Sequence, residues 1–285
     1  MKIYDMHIHT GEGEPCQHRL LERMEQAGVY GGALISACPE EATANLYCLP
    51  YRERLKNIQQ WTKGQETRLF PILWVHPHEE DACEIVKDAA QEGVRAFKII
   101  CDTFPVYAPE NLRLLEEIEK TSLPVLFHTG ILWSGTDSSR YNRPVDWECL
   151  LQFPSLKFSL AHCSWPWHDE CIAVYGKFLN SCLARPSSEM FFDITPGTPK
   201  IYRKELLTKL YHVGYDMEDN ILFGSDSIST EYHPEWVRGW LEIDKGIFDE
   251  IGVTQQQRQK LYETNLKNFF SPERMVHRPP QMNQW

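Results

Sequence analysis

Residues 1–9 read Met1-Lys-Ile-Tyr-Asp-Met-His-Ile-His9, and the strand they predict decides how the rest of the chain is read. Successive side chains on a β-strand alternate faces, so Asp5, His7 and His9 are expected on one face and Tyr4, Met6 and Ile8 on the other. Two imidazoles two residues apart on extended backbone can close on one metal ion. A pair of strand histidines also arises by chance. What decides between the two is whether further ligands recur where a fold would need them.

Outward from this stretch, short apolar strands alternate with amphipathic helices. Strands are predicted at Val29–Ser36, Leu69–Val75, Val94–Ile100, Leu123–Gly130, Leu156–His162, Met190–Thr195 and Ile221–Asp226. Helices are predicted over Pro15–Gly28, Tyr51–Trp61, Asp81–Glu92, Pro109–Lys120, Val145–Gln152, Asp169–Leu183 and Tyr202–Val213, then Glu235–Ile251 and Thr254–Phe270. With the opening strand this makes eight βα repeats, the pattern of parallel βαβ units. Eight of them predict a closed (β/α)8 TIM barrel with extra C-terminal helices. No Gly-x-Gly-x-x-Gly or P-loop motif follows a strand, which removes the usual support for a nucleotide-binding open sheet. The chain of 285 residues is read as a single domain, 1–285, with His277–Trp285 as a tail.

Composition narrows the function classes. A formal net charge of −11 argues against a nucleic-acid or anionic-membrane surface. No apolar run approaches the ~18 residues of a membrane span. The N-terminus lacks a basic segment followed by an apolar run, so no signal peptide is read. The nine cysteines are scattered, with no Cys-x-x-Cys pair, and are expected to be reduced in a cytoplasmic protein. A small-molecule substrate is the expected partner, and homo-oligomerisation is left open.

The spacing of polar residues at strand ends carries the chemistry. His7 lies on strand 1, Lys98 on strand 4, His128 on strand 5, His162 on strand 6 and Asp226 on strand 8. They are separated by roughly three, one, one and two units of about 36 residues, one eighth of the chain. All lie at or near strand C-terminal ends, where barrel enzymes place catalytic groups. Independent core histidines have no reason to repeat this way.

Five segments in this order, Asp5-Met-His7-Ile-His9, Phe97-Lys98-Ile99, Leu126-Phe-His128-Thr-Gly130, Leu160-Ala-His162-Cys163 and Leu222-Phe-Gly-Ser-Asp226, resemble the amidohydrolase superfamily. Thr264-Asn265-Leu-Lys-Asn-Phe-Phe270 is similar to the closing helix of its amidohydrolase 2 branch. The resemblance implies that His7, His9, His128 and Asp226 hold one divalent ion, Zn²⁺ being the borderline ion such ligands suit. It implies attack by metal-bound hydroxide on an amide, lactone or ester carbonyl. Asp226 would pass the water's proton to the leaving group, and His162 would orient the water or polarise the carbonyl. Lys98 has three readings. It carries CO₂ as a carbamate and bridges a second ion with His162, it binds an anionic substrate group, or it pairs with a neighbour such as Asp102.

The loops are expected to shape the pocket. Arg140 or Arg143 is read as a grip for a substrate carboxylate, since bidentate guanidinium suits that group; a solvated loop arginine is the plainer alternative for each. Trp133, Trp165 and Trp167 could wall an apolar substrate or simply pack. His76 is expected to reach the mouth, His78 to belong to a turn, and Asp193 to support the site. Asp5 is read as lying deeper and supporting the histidines. On the same fold a non-oxidative decarboxylase is the alternative. A phosphoesterase is disfavoured because Ser227-Ile228 follows Asp226 where that family has a His. A barrel that binds metal without catalysis is the non-enzymatic alternative.

Overall fold

The strands, buried on both faces, read as near-continuous apolar runs, as parallel strands covered by helices must. The computed structural model describes residues 1–43, 47–181 and 188–273. In chain order the elements are β1 (Tyr4–His9), α1 (Gln17–Gln26), β2 (Gly31–Ile35), α2 (Tyr51–Thr62), β3 (Leu69–Trp74), α3 (Ala82–Gln91), β4 (Ala96–Ile99), α4 (Pro109–Thr121) and β5 (Val125–Phe127). They continue with β6 (Lys157–Leu160), α5 (His168–Ser181), β7 (Glu189–Asp193), α6 (Lys200–His212), β8 (Ile221–Leu222), β9 (Ser227–Ile228) and α7 (Pro234–Ile251). Last come α8 (Gln255–Gln259), a π-helical turn (Lys260–Thr264) and α9 (Asn265–Phe270). Helix ends follow local chemistry: α4 begins on Pro109, whose missing N–H costs nothing at that position. α7 stops at Gly252, which takes a left-handed φ of 78°.

The sheet runs β8-β7-β6-β5-β4-β3-β2-β1-β9 and its ladders are parallel. β8 and β9 are two parts of one short chain run. β8 pairs with β7, β9 pairs with β1, and the Met6 N–H donates to the Phe223 carbonyl at 2.8 Å between them. The ring closes into the expected α/β barrel. The single eighth strand expected over Ile221–Asp226 is therefore split. Asp226 has φ of 57°, which a ladder residue cannot adopt, so pairing lapses there and resumes at Ser227.

Two apolar layers lie on either side of the sheet. Leu34, Leu73, Phe97, Ile99, Phe127 and Phe158 pack outward against the helices. Tyr4, Met6, Ile35, Ile72, Ala96 and Leu126 fill the barrel interior. The chain's end closes the barrel from below: Phe270 stacks on Phe70 with ring centroids 4.8 Å apart, and Phe269 meets Phe191 edge-on at 5.3 Å. Strict alternation along β1 does not hold. The β1–β2 register shifts between Asp5 and Ile8, so Tyr4 and Met6 face inward with the interior cluster while Ile8 packs in the outer layer. The extra residue of such a bulge moves the pattern by one position. It turns Asp5 away from the face that carries His7 and His9.

Other expectations are also corrected. Val145–Gln152 belongs to a 3-10 helix, Pro144–Gln152, and the last long helix is interrupted by the π turn. Cys38 and Cys48 form a disulfide, against the reading of a fully reduced chain. The backbone returns on itself at a parallel bridge between these residues, with Cα atoms 4.3 Å apart, although no sequence motif marks the pair. No helix among the described residues is long and apolar enough to cross a membrane. The segment His277–Trp285, read as a tail, lies outside the described residues.

Candidate metal centre

His7 and His9 sit at the C-terminal end of β1, and the bulge delivers both imidazoles to the barrel mouth. Their Nε2 atoms are 3.2 Å apart, and each lies 3.7 Å from Oδ1 of Asp226. Ligand atoms of a tetrahedral Zn²⁺ with ~2.0–2.1 Å bonds are separated by roughly 3.3 Å, so these three separations are those of a set that converges on one ion. His128, just after β5, brings a buried Nε2 that has no hydrogen-bond partner. Its ring lies 5.1 Å from that of His162, which in turn is 5.2 Å from His7.

The other face of the site is fixed by carboxylates. Asp193, at the end of β7, is fully buried. Its Oδ2 meets Nδ1 of His7 at 3.2 Å, and its Oδ1 accepts from the backbone N–H of His162 at 2.9 Å. This pins the His7 ring so that Nε2 points to the converging atoms, the usual arrangement behind a ligating histidine. Asp5 accepts from the backbone N–H of His7 and of Ser225, from the Ser225 hydroxyl and from Tyr232. It ties β1 to the Asp226 turn and has no geometry for a ligand, as expected.

Two site residues stand in strained backbone. His162 begins a left-handed turn, φ 59°, that continues through Cys163 (42°) and Ser164 (57°), and Asp226 has φ 57°. Each such residue costs on the order of 1–2 kcal/mol. The first turn is held by the Asp193 bond to the His162 N–H and by the chain Ser164 Oγ to Thr129 Oγ1 to the Ala161 carbonyl, 2.8 Å at each step. Gly224 lets the chain pass this closely: a Cβ there would lie 2.2 Å from Thr195 Oγ1 and 2.9 Å from the His7 Cβ.

Burial and charge set protonation. Burial, then the charge of His7, pushes His9 down to about 3. Burial also drives His128 well down and His162 down. His9, His128 and His162 are thus driven toward the neutral form, the one that binds metal. Burial alone would raise Asp226, but His7, His162 and His9 outweigh it and hold the carboxyl below its ordinary value. Its carboxylate is walled by protein yet faces the cavity, with 39% of the side chain accessible. Lys98 points into the barrel beside them. It is fully buried, its Nζ has no hydrogen-bond partner, and burial lowers it to about 8 against the opposing pull of Asp193 and Asp226.

Above these residues opens a cavity of about 740 Å³ that His7, His9, His128, His162 and Asp226 line. Trp133 and Trp165 line it as well, whereas Arg140, Arg143, Trp167 and His76 do not.

The arginines are held elsewhere. Arg140 pairs with Asp137 at 3.0 Å and lies over the Tyr141 ring, and Arg143 pairs with Glu170 and lies over Trp167. Local acidic partners have captured both guanidinium groups. His76 is buried, bonded to Asp102 at 3.2 Å, and does not reach the mouth. Asp102 is taken by His76 and Thr43, and no ion pair joins it to Lys98 among the described residues. His78 is exposed in a turn beside Glu110, as expected. The sequence reading missed Glu12, Tyr47, Ile131, Leu132, Ile228 and Glu231, which also line the cavity. The one signal for them was position, since Glu12 follows the histidine pair and Ile228 and Glu231 follow Asp226.

The amidohydrolase family model matches residues 4–270. The chain belongs to the amidohydrolase family. No curated protein matches it at a significant level. Solved structures share the fold at low identity. A protein from Pseudomonas putida assigned as a 2-pyrone-4,6-dicarboxylic acid hydrolase superposes with a TM-score of 0.63 and 16% identity, covering 96% of this chain and 99% of the other. For 2,6-dihydroxybenzoate decarboxylase from Rhizobium the values are 0.61 and 13%, over 95% and 98%. For dihydroorotase from Campylobacter jejuni they are 0.58 and 14%, over 93% and 82%. Likeness at this identity speaks for the barrel fold.

Proposed function

We propose that this amidohydrolase is a metal-dependent hydrolase of a small amide, lactone or ester. The observation that carries the reading is the convergence of His7 Nε2, His9 Nε2 and Asp226 Oδ1 within 3.2–3.7 Å of one another, beside the unpartnered Nε2 of His128. Those four residues would hold the ion, and the neutral imidazole and carboxylate donors suit Zn²⁺. A bound divalent ion supplies Lewis acidity, polarising a carbonyl and lowering the pKa of water toward about 7.

The chain's own residues would do the rest. Asp226, held ionised by its imidazole neighbours, accepts the proton of the attacking water and returns it to the departing nitrogen or oxygen. His162 lines the same cavity and would orient the water or hold the carbonyl oxygen. Asp193 positions both His7 and His162 through its two oxygens. Trp133 and Trp165 line one side of the cavity.

A two-ion site is the second reading for Lys98. Its unpartnered, fully buried amine near His162 would in that case carry CO₂ as a carbamate, and His162 would complete the second set of ligands. Decarboxylation on the same frame is the alternative reaction, distinguished by CO₂ release. The test is metal content of the wild type, His9→Ala and Lys98→Ala, with hydrolysis of amide, lactone and ester panels before and after chelation. Metal lost in His9→Ala, together with hydrolysis abolished by the chelator and restored by Zn²⁺, is the expected result. Two ions falling to one in Lys98→Ala establishes the second site. Hydrolysis unchanged by chelation sinks the reading.

A further inference from the structure

The site's wall is more specific than its floor. At the mouth Trp133 and Trp165 lie nearly parallel, 13° between planes and 6.4 Å between centroids. Trp133 is 79% exposed, which is costly for the largest apolar side chain unless something covers it. Ile131, Leu132 and Ile228 continue the apolar surface. The charged residues of the rim are Glu12 and Glu231, and no Lys or Arg among the described residues lines the cavity. Arg140 and Arg143 are paired with Asp137 and Glu170, and Arg23, outside the cavity lining, is bound to the Thr230 and Tyr232 carbonyls.

From this wall we infer that the enzyme selects an uncharged, ring-bearing substrate, with the ring against Trp133 and Trp165 and no anionic group on the end that faces Glu12 and Glu231. The inference rests on the reading that the reacting carbonyl sits at His7 and Asp226. It replaces the expectation of a carboxylate-bearing substrate, whose far carboxylate would find two glutamates and no cation. A planar ring on an indole face gains stacking as well as burial. An anion brought against the two glutamates is repelled, with no cation in the lining to offset it.

Acetanilide and 4-acetamidobenzenesulfonate test this, because they differ in one para substituent and sulfonate is a poor ligand for a divalent ion. Binding to the holoenzyme is followed by tryptophan fluorescence and by calorimetry, and turnover by aniline release. Acetanilide is expected to bind at least ten-fold more tightly than the sulfonate. The gap should narrow several-fold in Glu12→Gln/Glu231→Gln and at raised ionic strength. Trp133→Ala should weaken acetanilide binding about three- to ten-fold, the range of one aromatic contact. Equal or tighter binding of the sulfonate overturns the inference, as does a Trp133→Ala effect confined to kcat. The binding arm stands apart from catalysis: the expected order of affinities without turnover or bound metal removes the hydrolase reading and leaves this one. Metal-dependent turnover with the reverse order does the opposite.

Discussion

Oδ2 of Asp193 lies 3.2 Å from Nδ1 of His7, although 186 residues separate them in the chain. Both are fully enclosed in the barrel. Burial pushes the Asp193 carboxyl up, but the hydrogen bond and charge of His7 and the charge of His162 outweigh it, and the group is held far below the ordinary carboxylate range. This partner at Nδ1 orients the ring with Nε2 toward His9 and Asp226.

Removing that charge should therefore weaken metal binding without removing a ligand. Asp193→Asn is expected to lower affinity for Zn²⁺ by about 10–100-fold, the usual penalty for losing the partner of a ligating histidine. Competition against a chromophoric chelator measures it. An unchanged affinity would mean that His7 is not oriented by this contact.

The loop arginines should be dispensable for substrate binding. Arg140→Ala and Arg143→Ala are each expected to leave KM within about two-fold of wild type, since neither side chain reaches the cavity and exposed ion pairs contribute little. Steady-state kinetics on any turned-over substrate decides the matter, and a ten-fold rise in KM would return an arginine to the site.

The Cys38–Cys48 cross-link closes a short loop, with a sequence separation of 10. Loop-closure entropy of that length predicts a loss of about 3 kcal/mol for Cys38→Ser/Cys48→Ser. Peptide mapping without reductant should recover the two cysteines in one linked species, and urea unfolding should show the lower midpoint. Recovery of both as free thiols in freshly purified protein counts against the bond.

Arg203 and Asp244 form a bidentate pair at 2.7–2.8 Å with both side chains fully buried, and Arg203 also donates to the Ile194 carbonyl beside Asp193. Arg203→Met leaves an unpaired buried carboxylate and should cost about 3–5 kcal/mol. Arg203→Met/Asp244→Leu should recover much of this. Both are read from chemical denaturation, and a single-variant loss below about 1 kcal/mol would show that water reaches Asp244.

Much of this was legible in the chain. His7, His9, His128, His162 and Asp226 stand at strand ends one or more βα units apart, and the apolar runs between them are the signal of strands buried on both faces. These are local patterns. They depend on the repeat of one strand or helix, which a few neighbouring residues set, so a reader of the sequence can place them.

What the sequence alone determined, then, was the barrel, its helices and the residue types gathered at one end of it. Tertiary structure decided the rest, because it turned on contacts between residues far apart in the chain. The bulge in β1 moved Asp5 off the histidine face, and closure against β7 and β1 broke the eighth strand at Asp226. Asp193 was matched to His7 and His162, while Glu170 and Asp137 drew Arg143 and Arg140 away from the pocket. Side-chain periodicity reports which face a residue prefers. It carries no record of which distant group will satisfy a buried charge, and that pairing is settled only when the packed barrel excludes water.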